Sequence, residues 1–223
     1  MDLKTLSSLS IVAPAIVAII AFKRLPKEAK YLAWLTIISA VVNLIANYKL
    51  NFFVNEVDRM NVQYFNLFAI AQYVLLNRLF FLILKRGAWK KVLNGLLVLF
   101  LIFAVVNIIL WQPFNTFGSN VIWVGNISFV GFSLLYFSQL LSSERYHNLT
   151  QDWVFWLSAG LLLYNASAFV LFLMTSYIVE ANRDIYYASN RLNAIFNLVL
   201  TGFYFVSLFV AAKRYKLSQV DDA

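Results

Sequence analysis

Apolar residues gather in seven runs along the chain, Leu6–Phe22, Tyr31–Tyr48, Val62–Leu84, Val92–Trp111, Val121–Leu141, Val154–Val179 and Asn193–Ala212, with short polar stretches between them. Each run is about 17 to 26 residues, the length that crosses roughly 30 Å of hydrocarbon at about 1.5 Å per residue. The pattern predicts an all-α membrane protein, one seven-transmembrane-helix domain spanning residues 1–223. Span 1 is the shortest, but no small-x-small cleavage site precedes Lys23-Arg24, so it is read as a helix and not as a signal peptide. An odd number of spans puts the two termini on opposite sides. The stretches after spans 1, 3, 5 and 7 carry twelve Lys and Arg residues and the opposite side carries five. That asymmetry predicts the N-terminus outside and the C-terminus in the cytoplasm of a bacterial inner membrane.

Composition agrees with this picture. Of 223 residues, 62% are hydrophobic and only 13% charged, with a mean hydropathy of +0.74, whereas a water-soluble domain is about a quarter charged. The net charge of +8 could suggest nucleic acid. The basic residues sit at the ends of apolar runs, however, where topology places them, so no nucleic-acid partner is expected. With no cysteine in the chain, disulfides, thiol nucleophiles and thiolate metal sites are excluded. All ten acidic residues and the single histidine, His147, fall in loops, termini or span ends. Proton relays, intramembrane general bases and metal centres need such groups at depth, so neither an enzyme, a metal nor a cofactor is expected. A retinal Schiff base needs a lysine in the last span, and Asn193–Ala212 has none.

An internal repeat is visible in outline. Span 2 contains Trp34-Leu35-Thr36 with Asn43 nine residues after the Trp, and span 6 contains Trp156-Leu157-Ser158 with Asn165 at the same spacing. Spans 3 and 7 align from Phe65-Asn66 and Leu192-Asn193 through Lys85-Arg86 and Lys213-Arg214 with one gap. Spans 1–3 and 5–7 would then be parallel repeats joined by span 4.

The chemistry inside the spans is that of amides and phenols. In span 7, Asn190, Asn193, Asn197, Thr201 and Tyr204 recur every three or four residues and predict one polar stripe. Span 3 carries Asn66, Tyr73 and Asn77 on a comparable stripe; span 2 offers Ser39, Asn43 and Asn47, span 6 Ser158, Tyr164 and Asn165, span 4 Asn107, and span 5 Asn126, Ser133 and Tyr136. One interpretation is interhelical hydrogen bonding. The other is a neutral polar pocket for an uncharged or zwitterionic ligand, with Asn43, Asn66, Tyr73, Asn77, Asn165, Asn193, Asn197, Thr201 and Tyr204 as its candidate residues. Arg78 lies roughly 10 Å inside span 3. It either snorkels to the headgroups or contacts a lipid phosphate or another anion. Glu56, Asp58, Arg59, Glu180, Arg183, Asp184 and Arg191 share the predicted outer face, as a solvated rim or as a lid over a ligand entrance. Gly131, Gly160 and Gly202 are the candidate hinges should the bundle rock.

Three stretches, Asn66-Leu-Phe-Ala-Ile-Ala-Gln-Tyr-Val-Leu-Leu-Asn77, Trp156-Leu-Ser-Ala-Gly-Leu-Leu-Leu-Tyr-Asn165 and Leu192-Asn-Ala-Ile-Phe-Asn197, resemble small uncharacterised seven-helix proteins of Bacteroidetes-type bacteria, often encoded beside sensor histidine kinases. The resemblance implies a sensory or accessory subunit with a sensor kinase or other membrane partner, as well as the lipid bilayer and a small-molecule or lipid ligand. In length, in the 3+1+3 layout and in Asn residues on helices 3 and 7, the chain is also similar to SWEET sugar transporters. That resemblance implies a facilitative carrier in which Asn77 or Asn66 and Asn197 or Asn193 contact the solute. The chain departs from that family in having only Pro14 within a span and no Pro-Gln signature. A receptor-like subunit is therefore expected, ahead of a neutral-solute transporter and of a lipid-modifying enzyme.

Overall fold

The computed structural model describes residues 3–48, 60–85, 87–116, 118–142, 148–178 and 183–221. Its helices are α1 (Leu3–Ser10), α2 (Val12–Ala21), α3 (Ala29–Tyr48), α4 (Met60–Ile83), α5 (Gly87–Leu110), α6 (Ser119–Leu141), α7 (Trp153–Ile178) and α8 (Arg183–Asp221). The described residues form no strand. Among the described residues, six segments are long and apolar enough to cross a membrane: Thr5–Arg24, Ala29–Ala46, Val62–Ile83, Gly87–Leu110, Ser119–Leu141 and Ala188–Lys213. Helix α7 adds a shorter apolar stretch, Trp153–Phe169. The protein is thus an all-helical, multi-pass membrane protein.

Span 1 is divided between α1 and α2. Pro14 has no N–H to give to the Ser10 carbonyl, and its ring crowds that carbonyl. The helix breaks accordingly at Ile11, whose φ of −63° and ψ of −17° keep it right-handed, so the chain kinks there without reversing. Helix α8 runs well beyond the apolar run Asn193–Ala212 at both ends, because its 39 residues contain neither proline nor any glycine but Gly202. Hydropathy marks where a helix meets lipid, while its length is set by where a breaker stands.

Neighbouring helices follow chain order: α2 packs on α3, α3 on α4, α4 on α6, α6 on α7 and α7 on α8, and α8 closes the ring against α1 and α2. Helix α5 stands outside that ring, packing mainly on α4 and α6 and exposing Val98, Leu99, Ile102, Val105 and Ile109. Contact between α7 and α8 is the closest in the fold. A Cβ placed on Gly160 would lie 2.5 Å from the Phe203 Cβ, and the Ser207 hydroxyl donates to the Trp153 carbonyl at 2.8 Å. Gly160 is therefore a contact point for a neighbouring helix and not a free hinge. Gly131 and Gly202 have no neighbouring atoms in the way of a Cβ.

The ends of the helices are tied by polar side chains. Asp152 accepts the Val154 N–H at 2.9 Å at the start of α7 and the Tyr136 hydroxyl at 2.7 Å. It thus caps one helix and binds it to the next. Toward this end of the bundle, where the predicted cytoplasmic segments lie, Leu32, Leu79, Phe80, Phe132, Leu157 and Leu208 are buried in one apolar cluster that also holds Ala18 and Ala21. Asn77, Ser133, Ser158 and Ser207 are buried in the same half.

Candidate functional site

In the other half, toward the N-terminal end of α1, a cavity of about 230 Å³ opens between α1, α3, α4, α6, α7 and α8. Its apolar walls are Ile11, Leu35, Phe65, Phe68, Ala69, Ile122 and Leu200, and its polar walls are Ser8, Ser39, Asn43, Gln72, Asn126, Tyr164, Asn197, Thr201 and Tyr204. Among the described residues, no Asp, Glu, Lys, Arg or His lines it. The cavity can thus offer donors, acceptors and aromatic faces but neither a counter-charge nor a catalytic acid or base.

Four of the candidate residues meet here. The Asn197 amide donates to the Ser7 hydroxyl at 3.0 Å, fixing α8 to the first half of the kinked span 1. Thr201 returns its hydroxyl to the Asn197 carbonyl at 2.8 Å, one turn back. Asn43 donates in the same way to the Ser39 carbonyl at 2.9 Å. Tyr204 is only 4% exposed, and its hydroxyl has no hydrogen-bond partner. A buried donor without a partner costs about 1–3 kcal/mol, and this one belongs to a side chain on the cavity wall.

The remaining candidates lie elsewhere. Asn193 is exposed on α8, while Ala194 beside it is buried. A four-residue step turns a helix by about 40° beyond one full turn, so the inner face at that level has moved on from Asn193 to Ala194. Asn66 donates to the carbonyls of Phe114 and Thr116 at 3.0 and 2.7 Å and accepts the Gly118 N–H at 2.9 Å. It clamps the connection between α5 and α6. Asn77 donates to the Leu93 carbonyl of α5 at 3.0 Å, and Tyr73 stacks on Phe100 of α5 with ring centroids 3.6 Å apart. The stripe read from Asn66, Tyr73 and Asn77 thus faces α5 and α6. Asn165 donates to the Leu161 carbonyl of its own helix at 2.6 Å. Arg78 reaches the Asn94 side chain of α5 at 2.9 Å.

The cavity-facing stripe of α4 is instead Phe65, Phe68, Ala69 and Gln72. Gln72 precedes Tyr73 by one residue, about 100° around the helix. The three- and four-residue spacing of these four was the available signal, but a polar residue at only one of them made it faint. Ser8, Ser39, Asn126 and Tyr164 were each visible as polar residues in spans, with nothing to set them apart from the others. Asn107, also singled out in the sequence, is satisfied at both ends of its amide, by Gln112 at 3.2 Å and Asn120 at 2.9 Å. Of the rim, Arg191 is exposed; Asn47, Arg183 and Asp184 lie where side chains are not described, and Glu56, Asp58, Arg59, His147 and Glu180 lie outside the described residues. Among the described residues, no three His, Cys, Asp or Glu side chains gather as a metal site would require. Comparison with protein-family models, with curated proteins and with solved structures finds no match to this chain.

Proposed function

We propose that the chain is a receptor-like subunit of the bacterial cytoplasmic membrane, crossing it seven times with its N-terminus outside, with α7 as the seventh crossing. It holds a small uncharged or zwitterionic ligand in the cavity and passes the state of that site to a partner protein. The observation that carries this is the cavity itself, polar, lined among the described residues by no Asp, Glu, Lys, Arg or His, and bordered by Tyr204 with an unpartnered hydroxyl. Its volume of about 230 Å³ is below the roughly 300–1,000 Å³ of sites for drug-sized molecules, which favours a ligand of about a dozen heavy atoms. A receptor needs its site open to only one face, and the cavity lies in the half toward the N-terminal end of α1. A lipid-modifying enzyme would need a base beside its nucleophile, and the described residues on the cavity wall include no carboxylate, imidazole or amine.

A neutral-solute transporter is the second reading, favoured by two observations. Span 1 is broken beside the cavity, and α6, α7 and α8 pack in chain order as α2, α3 and α4 do. Asn43 and Asn165, which would correspond in a repeat, both donate to the carbonyl four residues earlier; Asn66 and Asn193 would correspond but differ in burial. The test is thermal unfolding of the purified protein against a panel of small uncharged, zwitterionic and charged solutes. At least one uncharged or zwitterionic solute is expected to raise Tm for the parent chain and not for Asn197→Leu. A panel in which only charged solutes stabilise, or in which Asn197→Leu responds as the parent does, overturns the proposal.

A further inference from the structure

The opposite end of the bundle carries a second feature, unconnected to the cavity. Arg78, on α4, lies about 8 Å before the end of that helix, and Lys90, on α5, about 5 Å after the start of the next. The Arg78 guanidinium sits 5.8 Å from the centre of the Phe81 ring and the Lys90 ammonium 5.5 Å from the same ring. Two cations therefore converge on one aromatic side chain, while Asn94 holds the guanidinium through one of its N–H groups at 2.9 Å. Four of the five N–H donors of an arginine remain after that single bond.

The helices that carry and flank them supply no carboxylate: α4 and α6 are the principal neighbours of α5 among the described residues, and the sequences of α4, α5 and α6 contain no Asp or Glu. Lys85, at the end of α4, and Lys91, beside Lys90, add positive charge at the same level. The Cα–Cβ bond of a helical residue tilts toward the helix N-terminus, but the Arg78 guanidinium turns back to the Phe81 ring, one turn nearer the headgroups. Its bond to Asn94, about 10 Å along α5, keeps it from extending fully to water. Outward of this cluster α5 presents lipid-facing residues such as Val92, Val98 and Leu99. An anion reaching these cations from the side of α5 comes from the membrane.

We infer that Arg78 and Lys90, at the lipid-facing seam of α4 and α5, bind the phosphate of an anionic phospholipid in the leaflet next to the Lys- and Arg-rich end of the bundle. Arginine supplies paired N–H donors to the phosphate oxygens and lysine a second positive charge, while Phe81 carries both stems. The geometry selects lipid over soluble phosphate because the arginine sits within the apolar stretch Val62–Ile83.

The test is a titration of the full chain, in micelles of a zwitterionic detergent, with phosphatidylglycerol, followed by Tm. Phosphatidylglycerol is expected to raise Tm saturably, and R78Q/K90Q to need about 100-fold more lipid, since each charge-assisted hydrogen bond to the phosphate is worth about tenfold in affinity. K90Q alone is expected to need about tenfold more, and it carries the test if the double variant does not fold. K23Q/R24Q, which removes two exposed charges from the same end of the bundle, is expected to titrate as the parent does. An unchanged titration of R78Q/K90Q or of K90Q overturns the inference. So does an equal loss in K23Q/R24Q, which means diffuse charge attraction, or an equal Tm rise with inorganic phosphate alone, which means a soluble anion site.

Discussion

Asn66 and Asn197 are chemically identical side chains in neighbouring layers of one bundle, and what they touch separates their roles. Asn66 satisfies three backbone groups of a connecting loop, so Asn66→Leu strands all three and is expected to cost about 2 kcal/mol of stability, read as a lowered Tm. Asn197→Leu gives up an amide-to-hydroxyl bond to Ser7 and is expected to cost about 1 kcal/mol or less. The loss of ligand stabilisation should be the larger effect there. Tyr204 offers a sharper contrast. Its hydroxyl is buried without a partner, so Tyr204→Phe removes an unmet desolvation cost and is expected to leave the empty protein as stable or more so. The same change should weaken ligand affinity about tenfold, the equivalent of one hydrogen bond of roughly 1.4 kcal/mol. A Tm that falls in the empty protein would show that the hydroxyl serves packing. At this scale the residue types were legible in the sequence and their directions were not. A membrane helix is apolar on its lipid face and its core face alike, so the hydrophobic asymmetry that tells inside from outside in a soluble helix is absent. A one-residue error turns the helix by about 100°, which is the whole difference between Tyr73 and Gln72.

Among the elements, the seam between α7 and α8 gives the most direct test of packing. Gly160→Ala puts a methyl group 2.5 Å from the Phe203 Cβ, so the two helices must part, at an expected cost of about 1–3 kcal/mol. Gly202→Ala meets no atom within 4 Å and is expected to leave Tm unchanged or to raise it, since alanine favours a helix over glycine by about 1 kcal/mol. Comparing the two unfolding temperatures separates close approach from backbone flexibility. Helix positions were legible because runs of about 20 apolar residues admit little else in a membrane. The break in span 1 was legible only as Pro14, whose effect falls on Ile11, three residues earlier. The polar ends of α8 were hidden for the opposite reason, since helix-forming residues such as those after Ala212 look like a solvated tail in a hydropathy pattern.

For the molecule as a whole, orientation rests on Lys and Arg asymmetry, and a chain without cysteine makes it simple to test. Asn115, on the connection between α5 and α6, and Ala88, in the first turn of α5, are both exposed at opposite ends of the bundle. Asn115→Cys should react with a membrane-impermeant thiol reagent in intact cells and Ala88→Cys should not; the reverse pattern would invert every statement about sides. Architecture then divides the work, with the buried cluster of Leu79, Phe80, Phe132 and Leu157 in one half and a polar cavity in the other, a division invisible in the sequence because a leucine of the core, such as Leu157, and one on the outer face, such as Leu163, look alike.

That division is the core of the account, and side-specific labelling of the cavity measures it. Ser39→Cys and Asn126→Cys both place a thiol on the cavity wall. In sealed vesicles of either orientation, both are predicted to react with a small impermeant reagent only from the face that Asn115 occupies, with a saturating uncharged or zwitterionic ligand slowing the reaction. Reaction from the Lys- and Arg-rich face, or from both faces in turn, would contradict a one-sided receptor cavity and establish the alternating access of a transporter.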